Sequence, residues 1–334
     1  MLNTEATLWK ALAQAITGQA TSLEEFDDDE ILKQAGLHGV DILLYTQVHA
    51  GTVTGLSETL KKNLKSRVYT QVVHDMALND ATQKLLDLLA TNQIPALMLK
   101  GTPVAFLYYP DTYLRSRCDT DIYIDEYDLK RTAELLSAHN YELSGLGTRK
   151  HSSKQFVAAI ESVQKQFLHF DMHWMLSNRV LFRSTLPFKE CLQSSQPVAG
   201  LGSNAHALSI TDLMIHACIH RIAHGRNTER NRLIWLYDIH LMAEAMGDTG
   251  LDLFLVKAKQ KSITVLCADA LKTCQAIFNT SLPEHFLADL KTDSKREPSA
   301  QLIKASKLRW AWEDLRTLPG VSEKIAFVRE LLFG

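Results

Sequence analysis

The sequence predicts an α+β fold: a small mixed sheet held between N-terminal and C-terminal helical regions. Three observations carry that expectation. Residues 1–90 repeat apolar side chains at helical spacing, residues 91–204 break into short apolar or alternating runs punctuated by glycine and proline, and residues 205–334 return to helical spacing. These three stretches are the expected domains.

In the first stretch Leu8, Ala11, Leu12, Ala15 and Ile16 mark one helix, and an acidic-started helix begins over 24–31. Gly36 to Gly39 interrupts before a third helix over 40–49. Residues 57–90 form a long helix whose expected apolar side runs Leu60, Leu64, Val68, Val72, Val73, Met76 and Ala77. Ala96 to Leu99 is a run of buried-strand length. Lys100-Gly101-Thr102 then makes a tight turn, with Thr102 expected to cap a short helix and Pro103 fitting its first turn. Pro110 stops that helix.

The second strand opens at Asp119. Period-two alternation puts Asp119, Asp121, Tyr123 and Asp125 on one side and Ile122 and Ile124 on the other. A helix over 126–139, a short strand over 141–143, and two strands over 155–160 and 166–174 complete the sheet. In the last of these, His169, Asp171 and His173 share one face. Residues 177–202 read as an irregular crossing between domains. Beyond it Asp212, His216, His220 and His224 recur every four residues near one helix face, and further amphipathic helices cover 251–278 and 299–333.

Composition narrows the function. With 36 basic and 38 acidic residues the formal net charge is −2, which argues against a long nucleic acid as partner. The five cysteines include no Cys-x-x-Cys pair and fit a reduced, cytoplasmic protein. No apolar run approaches the ~18–20 residues of a membrane span, so no membrane partner is expected.

Two carboxylates two apart on a strand point the same way, and a divalent cation relieves their repulsion best. An exposed acidic strand end is the plainer reading of Asp119 and Asp121, but the upstream glycine turn and the adjacent Arg115 and Arg117 favour a site. Without metal the pair is expected to be uncompensated, so that losing one charge slightly stabilises the protein. The histidine row offers a rival, a zinc hydrolase, since His and Asp at i, i+4 bind zinc. One straight helix does not close a compact tetrahedral site, and a polar face turned towards a cleft is the blander account.

Leu99-Lys100-Gly101, Tyr109, Arg115 and the run Asp119-Thr120-Asp121-Ile122-Tyr123-Ile124 resemble an uncharacterised nucleotidyltransferase family within the polymerase-beta-like superfamily. The likeness covers about residues 90–245, including Asp171-Met172-His173-Trp174, Arg232 and Asp238; Thr102 and Thr120 depart from the usual pattern. The resemblance implies a metal-dependent enzyme that moves a nucleoside monophosphate from a nucleoside triphosphate, ATP or another, to a hydroxyl of a small molecule or protein. It implies two Mg2+ ions on Asp119, Asp121 and Asp171, converging from two strands, and a nucleotide site at Lys100, Gly101, Thr102, Arg115 and Arg117. His173, His216, His220 and His224 are expected to face the cleft. A catalytically silent, antitoxin-like nucleotide-binding module is the alternative.

Overall fold

A computed structural model describes residues 2–146, 153–163, 165–224, 229–291, 297–303 and 305–333. Helices α1 (Leu2–Ile16), α2 (Asp28–His38), α3 (Asp41–Ala50) and α4 (Glu58–Thr91) open the chain. The second helix starts later than its acidic run suggests, because the Asp27 carboxylate accepts from the Asp29 and Glu30 N–H groups and caps it. Strands β1 (Thr21–Ser22) and β2 (Val53–Thr54) form a small parallel pair that the sequence does not announce. Helix α4 is capped by Ser57, whose hydroxyl accepts from the Leu60 N–H at 3.1 Å.

The expected apolar side of α4 fails in its middle. Val73 and Met76 are exposed, whereas Asp75 is buried and ion-paired with Arg117. A charge needed inside displaces the apolar stripe, because a buried guanidinium without a carboxylate is costly.

The central sheet takes β3 (Ala96–Leu99), β4 (Asp119–Ile124), β5 (Glu142–Ser144), β6 (Gln155–Glu161), β7 (Phe167–His173), β8 (Gln196–Pro197) and β9 (His206–Ala207) in the order β5-β6-β7-β4-β3-β9-β8. It is mixed: β4 runs parallel to β7 and antiparallel to β3, while β3 runs parallel to β9. Helix α5 (Gly101–Tyr108) follows β3, and α6 (Leu129–Ala138) follows β4. The expected irregular crossing holds α7 (Phe188–Gln193) and β8, so the sheet continues to Ala207. Helices α8 (Ile210–His224), α9 (Leu233–Gln260, broken at Gly247), α10 (Thr264–Phe278), α11 (Phe286–Lys291), α12 (Lys307–Thr317) and α13 (Val321–Phe333) complete the chain. No helix among the described residues is long and apolar enough to cross a membrane.

Two apolar cores flank the sheet. On one face Met98, Ile122, Ile124, Phe170 and Met172 pack with Leu78, Leu85, Leu89 and Leu136 from α4 and α6. On the other, Leu97, Leu99 and Tyr123 join one continuous core containing Leu8, Leu64, Leu213, Ile219, Leu236 and Phe254. The first and last parts of the chain therefore share a core across this second face. Their packing on it leaves a cleft where the strands turn polar.

Candidate active site

The floor of the cleft is set by strand register. β4 and β7 pair in parallel with Asp119 opposite His169, Asp121 opposite Asp171, and Tyr123 opposite His173. Residues directly opposite on neighbouring strands point to the same face, so the alternating carboxylates of both strands meet there. Asp121 Oδ1 accepts from Lys100 Nζ at 2.5 Å and lies 2.8 Å from His173 Nε2. Asp171 Oδ2 accepts from the Gln155 amide on β6 at 2.9 Å. Lys100 reaches the floor because it is the hinge between β3 and α5, with a left-handed φ of 55°. Lys100, not Thr102, occupies the cap position of α5. The Thr102 hydroxyl is buried and shared with Thr120 and Arg117.

The three aspartates differ electrostatically. Burial alone raises a carboxyl pKa, but at Asp121 the Lys100 charge and His173 outweigh it and hold the group well below the usual range. At Asp119 burial, with Asp121 and Asp171 nearby, pushes the pKa up to about 6. Burial and Asp121 also raise Asp171. Burial works against the Lys100 charge, yet Asp121, Asp171 and Asp119 outweigh it and raise its pKa. The expectation of an uncompensated acidic pair is thus corrected: Lys100 supplies the counter-charge from within the chain.

The walls come from α5, α8 and α9 around a cavity of about 290 Å³ that Lys100, Gly101, Asp119, Asp121 and Asp171 line. Arg115 and Arg117 also line it, but their guanidinium groups are engaged. Arg115 grips Asp238 on α9 through Nε and Nη2, both at 2.8 Å, and Tyr109 donates to the same carboxylate at 2.8 Å. Arg117 pairs with Asp75 and donates to Thr102 Oγ1 at 3.0 Å. Gly101 lies against Arg115, since a Cβ there would approach the guanidinium to 3.4 Å.

His216 and His220 both line the cavity. His216 is buried; burial and the nearby Lys100 charge hold its pKa down to about 3. His220 meets Trp235 edge-on, with ring centroids 4.7 Å apart. The side chain of His224 lies outside the described residues. Asp212 leaves the expected four-residue row: it is buried against Lys257 at 2.6 Å, away from the cleft lining.

Among the described residues one group has three potential metal-ligand atoms within 4.8 Å of one another: Asp121, Asp171 and His173. Two carboxylates and an imidazole at that spacing suit a divalent ion after slight closure. Asp119 lines the same cavity but is not in that close group, and neither are His216 and His220. Sequence reading passed over Gln155, Trp235 and Met242, which also line the cavity. Gln155 carries no local signal, because a polar residue at a strand start is ordinary. The Asp238 signal was present, and its partner proves to be Arg115.

Paired carboxylates on neighbouring parallel strands lie beside a glycine-opened helix start, and with His173 they could hold a metal ion. The model of an uncharacterised nucleotidyltransferase family matches residues 24–279, and the chain belongs to that family. No curated protein matches the chain.

Proposed function

We propose that the cleft transfers a nucleoside monophosphate from a nucleoside triphosphate, ATP among the candidates, to a hydroxyl of a small molecule or protein. The observation that carries this reading is the in-register pairing of Asp121 with Asp171 at the cavity floor, against Lys100 and the start of α5. Family membership supports nucleotidyl transfer in general.

Asp119, Asp121 and Asp171, with His173 beside them, would hold two Mg2+ ions, which activate the acceptor oxygen and neutralise charge on the leaving phosphate. The chain's own groups do the rest. The N–H groups at the start of α5, opened by Gly101, face the phosphates where the helix dipole favours negative charge. Lys100 adds a cation at the floor, and the Asp238 clamp holds Arg115 beside Gly101 as part of the wall. The acceptor oxygen bonds to the alpha-phosphorus as the bond from that phosphorus to the bridging oxygen breaks, releasing pyrophosphate. Asp171, beside the acceptor oxygen, would receive the hydroxyl proton and pass it to water.

Purified protein incubated with alpha-labelled triphosphates, magnesium and a cell extract tests the reading. Label is expected to move to an acceptor with magnesium present, and neither with chelator nor in Asp121→Asn. Triphosphate binding without transfer to any acceptor would instead favour the silent, antitoxin-like module.

A further inference from the structure

A second cavity, of about 280 Å³, adjoins the first and shares Lys100, Gln155, His216 and His220 with it. We infer that this second chamber holds the acceptor, and that the acceptor is a small polyhydroxylated molecule without net charge, not a protein chain. The inference rests on the nucleotidyl-transfer reading of the first cavity.

Four observations carry it. The chamber reaches the reacting carboxylate by a relay: Asn178 Nδ2 donates to Gln155 Oε1 at 3.2 Å, and Gln155 Nε2 donates to Asp171 Oδ2 at 2.9 Å. Gly101, Arg115 and Asp171 line only the first cavity, so a hydroxyl seated in the second reaches Asp171 past Gln155 and away from Gly101 and Arg115. In-line displacement needs that separation of acceptor and leaving group. Second, the charged groups of the wall already have partners: Arg179 pairs with Asp314 at 3.0 Å and stacks over Trp310 at 4.9 Å, and Lys100 pairs with Asp121. An ionic ligand would have to break one of those pairs, whereas hydroxyls can bond beside them.

Third, the volume is small. At about 280 Å³ it lies at the lower edge of ligand pockets, with room for one sugar ring or a compact polyol. Fourth, Asp314 on α12 and Phe327 on α13 line the chamber, and both lie beyond the family match at 24–279. Asp314 anchors this segment by accepting from the Val180 N–H at 2.8 Å. The part of the chain outside the family match therefore completes one wall of the acceptor chamber, while the nucleotide cavity is lined by the shared part alone.

Two variants test this with ATP and magnesium as the binding probe. Ala223→Phe fills the chamber and Phe327→Ala enlarges it. Transfer is read with alpha-labelled ATP, supplied separately with a protein-free ultrafiltrate of cell extract and with the extract's protein. We expect wild-type protein to label ultrafiltrate components. Ala223→Phe should cut that labelling about tenfold or more while ATP affinity stays within about twofold. Phe327→Ala should raise the acceptor KM about tenfold and leave the ATP KM unchanged. Should Ala223→Phe fail to fold, Phe327→Ala decides alone. Label on protein only, or ATP affinity falling in parallel with transfer, overturns the acceptor chamber while nucleotidyl transfer stands. If wild-type protein neither binds magnesium–ATP nor transfers label, the parent reading fails, and this inference with it.

Discussion

The two faces of the central sheet are made from alternate residues of the same strands, yet one is inert and the other is a site. Met98, Ile122, Phe170 and Met172 are buried in an apolar core shared with α4 and α6. One residue along each strand, Asp121 and Asp171 are held together on the opposite face. Repulsion between them is tolerable because Lys100, His173 and Gln155 reach in from three different segments. The inert face needs only the right hydrophobic pattern. The site needs partners from distant parts of the chain, and it is as stable as those partners make it.

The comparison breaks most severely on the inert face. Phe170→Ala leaves a cavity in a fully buried position, and a loss of about 3–5 kcal/mol is expected in denaturant unfolding. Protein that remains folded should still respond to magnesium and triphosphate, because the carboxylates point the other way. Loss of that response in the folded fraction would show that the two faces are coupled.

On the polar face, Asp121→Asn is expected to cost about 2 kcal/mol without ligands, since it leaves the partly exposed Lys100 ammonium short of its closest partner. It should also abolish any magnesium-dependent rise in melting temperature with triphosphate. An apo variant more stable than wild type would mean that the acidic cluster is uncompensated after all.

A smaller effect sharpens the contrast through pH. His216 is neutral in the fold, its pKa held down to about 3, against 6.5 as its ordinary value. Between those values the unfolded chain binds the extra proton, so stability falls as pH drops from 6.5 towards 3. One unit below the ordinary value the loss is about 1.4 kcal/mol. His216→Gln should flatten that part of the unfolding-versus-pH curve; an unchanged slope would assign it to other groups.

The smallest change concerns Thr120, whose hydroxyl lies 3.1 Å from that of Thr82 and 3.0 Å from that of Thr102. Thr120→Val is expected to cost about 1 kcal/mol, with little effect on nucleotide response. A large loss of that response would show that the hydroxyl chain positions α5.

Much of the fold was legible because it depends on spacing. The strands at 96–99 and 119–124, the helix between them and the later strand carrying Asp171 follow from apolar periodicity and from glycine and proline placement. The inward place of Asp75 was not legible, since a helix pattern does not record that a buried arginine waits opposite. Arg115 and Arg117 stand two residues apart beside the carboxylates and are both candidates for phosphate charge, with Arg115 in the better register. One is nevertheless tied to α9 and the other to α4. His216 and His220 were expected on a cleft-facing side and do line the cavity, whereas Asp212, one helical step before, turns to Lys257.

By itself the sequence determined which residues share a face, because alternation along a strand and the 3.6-residue helical turn are local geometry. It thereby put Asp119 with Asp121, and Asp171 with His173, before any packing was known. Only the tertiary structure decided that these two pairs adjoin, that Lys100 and not an arginine neutralises them, and that helices from the chain's end close a second chamber beside them. Those outcomes depend on which distant segments meet across the sheet. The free energy of a buried charge is set by such neighbours and not by its place in the chain.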